Sequence, residues 1–177
     1  MRQVKRTRQS LAIFLSLLFA CVPVSAQAQV SEYDLKIAFI YNFISFTDWP
    51  VEIARYLKLC TLADDSFNAA LDVALEEKRV KDSLITIRRL RPDEELDKCH
   101  VVFISHAERA HLPQLLPELK HHPILTITDS PGWAEKGIMI EMVVEQQRVT
   151  FKTNVDPTAR FQVKISSKLL RLAKTAY

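Results

Sequence analysis

Seven residues, Cys99-His100-Val101-Val102-Phe103-Ile104-Ser105, leave this chain few choices of fold. The run is short, almost wholly apolar and rich in β-branched side chains. Charged residues 91–98 precede it, and a polar, helix-starting segment, 105–109, follows. A strand apolar on both faces has to be covered on both, as in a parallel sheet between helices. The rest of the chain reads as strands and helices arranged around it.

The first residues carry an address. Arg2, Lys5, Arg6 and Arg8 precede an apolar run, 11–22, and then come Pro23 and Ala26-Gln27-Ala28. A basic end, a short apolar core and an A-x-A site make a secretory signal peptide, with cleavage after Ala28. The run is short for a membrane span. A lipid anchor at Cys21 is the alternative, disfavoured by the bulk of Phe19. Of 177 residues, 149 then remain, enough for one domain, 29–177, to bury a core without staples. The signal segment holds four of the 24 basic residues and none of the 21 acidic ones, so the net charge falls from +3 to −1. That balance gives no bulk reason for nucleic-acid or membrane-surface binding. With only Gly132 and Gly137, a glycine-rich phosphate loop is also excluded.

Two cysteines stay with the mature chain, Cys60 and Cys99, in an oxidising compartment. The compartment favours a disulfide between them; two buried thiols are the alternative.

The pattern predicts a helix from Ser31, with Ser31 as cap and Glu32 and Asp34 in its first turn, ended by Asp48-Trp49-Pro50. Its body, with Phe39, Ile40 and Phe43, is apolar nearly all round, so the domain core or a second chain must wrap it. Strands are predicted over 56–62, 84–90, 99–105 and 124–128. Helices are predicted over 67–77, capped by Asp64-Asp65-Ser66, and over 108–119, where Pro113 and Pro117 shorten or kink it. Asp129-Ser130-Pro131-Gly132 reads as a turn. Segments 138–144 and 148–153 form an antiparallel hairpin about 145–147. A helix over 157–173 closes the chain.

This order indicates a three-layer α/β domain, its sheet mostly parallel with an antiparallel edge hairpin and helices on both faces. In a simple doubly wound order the first and third strands are neighbours. Cys60 then lies late in its strand and Cys99 at the start of its own, several residues apart at about 3.3 Å each. A disulfide needs Cα atoms within about 7 Å. Staggered strands, a turn folding back at Cys99, or a strained and therefore labile bond would each resolve the conflict.

No catalytic set emerges. Ser105 and His106 follow a strand, but no nucleophile elbow surrounds Ser105 and no acid is spaced to serve His106. Capping of the next helix suits Ser105 better. His100, His106, His111, His121 and His122 match no metal pattern, and a site joining Cys99 and His100 would need distant ligands. No cofactor is expected. Arg88, Arg89 and Arg91 could meet an anionic partner or form a solvated strand end. Ser105 and Asp129 would both lie on the carboxyl edge of the sheet, the default place for a small ligand.

Several separated blocks resemble the YfiR-like family of periplasmic proteins. They are Tyr33-x-Leu35-Lys36-x-Ala38-Phe39-Ile40-Tyr41-Asn42-Phe43 with Trp49-Pro50, Leu59-Cys60-x-Leu62 with Asp64-Asp65-x-Phe67, and the run from Cys99 to Ser105. Leu125-Thr126-Ile127-Thr128-Asp129, Gly137-x-Met139-Ile140, Val149-x-Phe151-x-x-Asn154 and Ile165-Ser166-Ser167-Lys168-Leu169-Leu170-x-Leu172-Ala173 continue the series. The resemblance implies a periplasmic α/β protein, typically a homodimer, without enzymatic activity. It implies repression of an inner-membrane diguanylate cyclase by contact with that cyclase's periplasmic sensor domain. Cyclic di-GMP and biofilm matrix then fall, and envelope stress or redox change relieves the block. Cys60 and Cys99 match the family's shared cysteines. A second pair carried by some relatives, in the region 133–140, is missing here. Segment 159–163 also departs from the small-residue version expected before Ser166-Ser167.

Two other classes of function stay in view. One is a periplasmic protein that presents a small ligand to a membrane partner; a ligand on the purified protein would mark it. The other is a thiol-dependent redox enzyme, weakened by the lack of a C-x-x-C motif.

Overall fold

Ser31 starts the first helix as its side chain dictates. Its hydroxyl accepts from Asp34 N–H, and the Asp34 carboxylate reaches back to Ser31 N–H, a complete capping box. The computed structural model describes residues 31–50, 52–62, 66–91, 94–145, 148–155 and 163–176. The signal segment, the Asp64-Asp65 cap and 156–162 lie outside the described residues.

In chain order the elements are α1 (Glu32–Ser45), β1 (Thr47–Asp48), β2 (Tyr56–Thr61), α2 (Ser66–Leu75), β3 (Arg79–Val80) and β4 (Ser83–Arg89). Then come β5 (Val101–Ile104), a 3-10 turn (His106–His111), α3 (Leu112–Leu119), β6 (Leu125–Thr128), β7 (Ile140–Glu145), β8 (Arg148–Thr153), β9 (Lys164–Ile165), α4 (Ser167–Leu170) and β10 (Thr175–Ala176).

Eight strands form one sheet in the order β10-β8-β7-β6-β5-β2-β4-β3, mainly parallel, with β7 and β8 as an antiparallel hairpin. The chain winds outward from β2 through α2 to β4, returns across β2 to β5, and proceeds through α3 to β6. The three-layer α/β class follows. Beyond the hairpin, β10 adds a parallel strand of two residues, so the hairpin is not itself the rim.

β5 shows why both faces had to be covered. Val101 and Phe103 join a core with Leu59, Ile127 and Phe151, under Ile40 and Phe43 of α1 and Phe67 and Leu71 of α2. Val102 and Ile104 point the other way, into a core with Cys60, Leu90, Leu96 and Cys99, under Leu112, Leu115 and Leu119 of α3. Alternating side chains of one strand thus feed two cores.

The apolar body of α1 is packed mainly against its own chain, with Ile37, Ile40, Phe43 and Ile44 buried and Ala38 and Asn42 exposed. Ile40 and Phe43 are 0% exposed. Phe39 and Phe43 meet Phe151 of β8 at ring distances of 6.3 and 5.0 Å. The dimer surface expected from Phe39, Ile40 and Phe43 is therefore corrected: two of the three residues offer no surface, and the third packs on the sheet. α1 also ends before Trp49, because β1 begins at Thr47 and pairs antiparallel with β9.

The closing helix over 157–173 is likewise corrected. Its described part is β9 and the four-residue α4. Val163 and Ile165 are buried while Lys164 is exposed, a two-residue alternation that suits a strand. Ser166 then caps α4 through Lys168 N–H.

Phe43→Ala empties a fully enclosed site and is expected to lower unfolding free energy by about 3–5 kcal/mol. Urea denaturation checks this; a loss below about 1 kcal/mol would show that α1 is held by something other than this core.

Candidate functional site

Cys60 and Cys99 are bonded to each other, with Cα atoms 5.9 Å apart. The register explains how. Cys60 lies opposite Val102, three residues past Cys99. His100 still follows the ladder, its N–H donating to Lys58 O at 3.0 Å. At Cys99 the chain leaves the ladder, in a turn closed by Cys99 N–H on Leu96 O at 2.9 Å. The turn folds Cys99 back over the face that carries Cys60. Of the three ways to join these cysteines, the fold uses the turn. Both residues are buried in the second core, at 0% and 4% exposure.

His100 beside it is a junction of three segments. Its Nδ1 accepts from Lys58 N–H at 2.9 Å. Its carbonyl accepts from Trp49 Nε1 at 3.0 Å and from Leu125 N–H at 2.9 Å. Burial, then the Lys58 charge, push the imidazole below the ordinary histidine range. Both effects favour the neutral ring, the only form whose Nδ1 can accept.

The carboxyl edge holds the second group of expected residues. Ser105 and Asp129 follow the paired ends of β5 and β6, where Ile104 faces Thr128. Asp129 is committed on both oxygens: Oδ1 accepts from His106 N–H at 2.6 Å and Oδ2 from Lys36 Nζ at 2.8 Å. Asp129 therefore caps the 3-10 turn, a role expected of Ser105; no cap bond comes from the Ser105 side chain. Burial opposes the Lys36 charge, but hydrogen bonds to Asp129 and Glu32 outweigh it and hold the ammonium above the ordinary lysine range. The start of α1 thus lies across this edge. Tyr33 stacks edge-on against Phe67, which in turn meets Phe103, each at 5.3 Å. The winding reverses between β2 and β5, so the switch point lies one strand away from the Ser105–Asp129 pair.

Turn 131–139, the region without the second cysteine pair, is held by polar groups. Gly132 takes φ +80, the left-handed backbone a turn with Pro131 requires. The Glu141 side chain is 1% exposed, and its Oε2 accepts from Ala134 N–H at 2.9 Å. Lys152, opposite it on β8, brings Nζ to 3.4 Å of Oε1, near enough to pair charges. Asn154 Nδ2 donates to Ala134 O at 2.6 Å. Sequence reading missed Lys36, Trp49, Glu141 and Asn154 because their partners lie up to 93 residues away or are backbone atoms.

A groove of about 340 Å³ runs between α1 and α2, lined by Ile37, Ala38, Tyr41, Ala74 and Leu75 with Asp34 and Lys78 at its rim. Neither Ser105 nor Asp129 lines it. Among the described residues no group of three His, Cys, Asp or Glu converges for a metal, and no helix is long and apolar enough to cross a membrane.

Fold and site together define a class: a three-layer α/β domain in which β2 is stapled to the crossover entering β5 by one buried disulfide. A family model described as YfiR/HmsC-like matches residues 33–174, which span nearly all the described structure. The chain belongs to that family. It is a regulatory, periplasmic family tied to a diguanylate cyclase pathway.

Breaking the bond with Cys60→Ser is expected to remove about 4 kcal/mol, the chain-entropy value for this loop, read from denaturant midpoints. Millimolar dithiothreitol is expected to reduce the denatured chain well before the native one, because both sulfurs are enclosed. Equal rates would show that the second core opens freely.

His100 sets a pH dependence. As pH falls below about 6.5 the unfolded chain takes up this proton first, so stability declines with acid. His100→Asn keeps an acceptor near Nδ1 and cannot titrate. Its stability loss between pH 7 and 5 is expected to be smaller than that of the parent; equal losses would contradict the neutral junction.

Proposed function

We propose that this chain is a non-enzymatic repressor of a membrane-bound diguanylate cyclase. It binds the cyclase's periplasmic sensor domain, and cyclic di-GMP and biofilm formation fall. Cleavage after Ala28 delivers residues 29–177 to the periplasm as one domain, which acts as a homodimer. The family match across residues 33–174 carries this reading. The buried disulfide supports it as a staple: reduction requires the second core to open, so a redox signal would act by loosening the crossover into β5.

A second reading, a protein that presents a small ligand, has one observation in its favour. The hydroxyls of Ser105 and Ser130 are buried at the carboxyl edge without a hydrogen-bond partner among the described residues. A ligand there would meet hydroxyls rather than the Asp129 carboxylate, which Lys36 and His106 already occupy.

The purified mature chain, mixed with the isolated periplasmic domains of the host's membrane diguanylate cyclases, is expected to co-elute with at least one on size exclusion. Binding to none of them would overturn the contact mechanism. A small molecule retained by the purified protein and lost in a Ser105→Ala, Ser130→Ala variant would favour the second reading instead.

A further inference from the structure

β4 has seven residues, and along most of its length it has a neighbour on one side only. In a parallel ladder the N–H and C=O of one residue face the same neighbour, and those of the next face away. Leu84 N–H reaches Arg55 O at 2.9 Å, and Leu90 N–H reaches Thr61 O at 2.7 Å. Residues 84, 86, 88 and 90 therefore face β2, while Ile85, Ile87 and Arg89 aim outward. Lys78 O takes the Ile85 N–H at 2.8 Å. β3 pairs only with Ser83 and Leu84, and among the described residues no strand meets Ile87 or Arg89. An alternating row is left open: C=O of Ile85, then N–H and C=O of Ile87, then N–H and C=O of Arg89.

We propose that this edge, 85–89, receives an extended acidic segment of a partner protein as an added strand. Such a strand gains main-chain bonds from the row and specificity from alternate side chains. On one face it would meet Ile87, which packs against the first core but is not fully covered. Arg89 on that face is turned inward, bonded to Thr61 Oγ1, the Asn68 carbonyl and the Asp72 carboxylate. On the other face stands Arg88, its side chain 38% exposed and 3.2 Å from Glu94. An exposed pair of this kind is weak, so an incoming carboxylate can share the guanidinium.

Charge selects the occupant: of the two cations of β4, Arg89 is held by Asp72, and the exposed Arg88 is the one an added strand would meet. A second copy fits worse: in the symmetric antiparallel register about Ile87, the Arg88 residues of both copies become diagonal neighbours on one face, about 7–8 Å apart. Like charges there oppose pairing, whereas a segment alternating apolar and acidic residues matches Ile87 and Arg88 in turn. The inference holds whether or not the partner is a cyclase.

The test uses the isotope-labelled mature protein with the peptide TEVEVET or its lysine counterpart TKVKVKT, both at millimolar concentration. TEVEVET is expected to slow amide exchange at Ile87 and Arg89 severalfold and TKVKVKT to leave it unchanged. In Arg88→Glu, with circular dichroism checking that the variant folds, the preference is expected to reverse. No slowing at either amide, equal slowing by both peptides, or slowing that depends on protein concentration alone would each overturn the proposal, the last in favour of a second copy.

Discussion

The turn that brings Cys99 over Cys60 is the constraint on which the rest of the sheet depends. β2 is an inner strand, paired on one side with β4 and on the other with β5. To pass from β4 to β5 the chain has to cross β2. It does so through residues 90–100, and the described part of that crossover, 90–91 and 94–100, forms no helix and supplies few backbone bonds of its own. The disulfide ties that crossover to β2, and Leu90 and Leu96 bury themselves beside it. His100, the next residue, then ties together β2, β6 and the segment just after β1. Sulfur, imidazole and carbonyl together replace what a helix would have supplied. The same seam fixes where β5 begins, and β5 feeds both cores.

Elements with a strong local signal were legible in the sequence. The doubly apolar β5, the Ser31 cap, the hairpin of β7 and β8 and the Asp129–Gly132 turn all follow from patterns of a few residues. The disulfide pairing was legible because only two cysteines leave with the mature chain, yet its geometry was not, since a turn of four residues has no periodicity. The closing segment misled because Val163, Ile165 and Leu169 satisfy a helical stripe as well as a strand followed by a short helix. α1 misled in another way: its excess of apolar residues signals burial on more than one side, and cover by one chain or by two looks the same in one dimension.

The carboxyl edge shows the limit of fold-level reasoning about ligands. Ser105 and Asp129 do lie there, as doubly wound topology requires. What topology cannot state is that α1 folds across the same edge, so that Lys36 neutralises Asp129 and Tyr33 and Phe67 stack over β5. Asp129 is spent on cohesion between layers. Turn 131–139 makes a related point, because a buried carboxylate and an asparagine hold a loop for which the resemblance implied a cysteine pair in some relatives.

On the repressor reading proposed above, contacts rather than a catalytic group carry this protein's effect. That view is tested most directly by intracellular cyclic di-GMP in a strain lacking this protein, beside a complemented control, under conditions where the protein is expressed. A rise that complementation reverses is the predicted result. An unchanged level would contradict the repressor account.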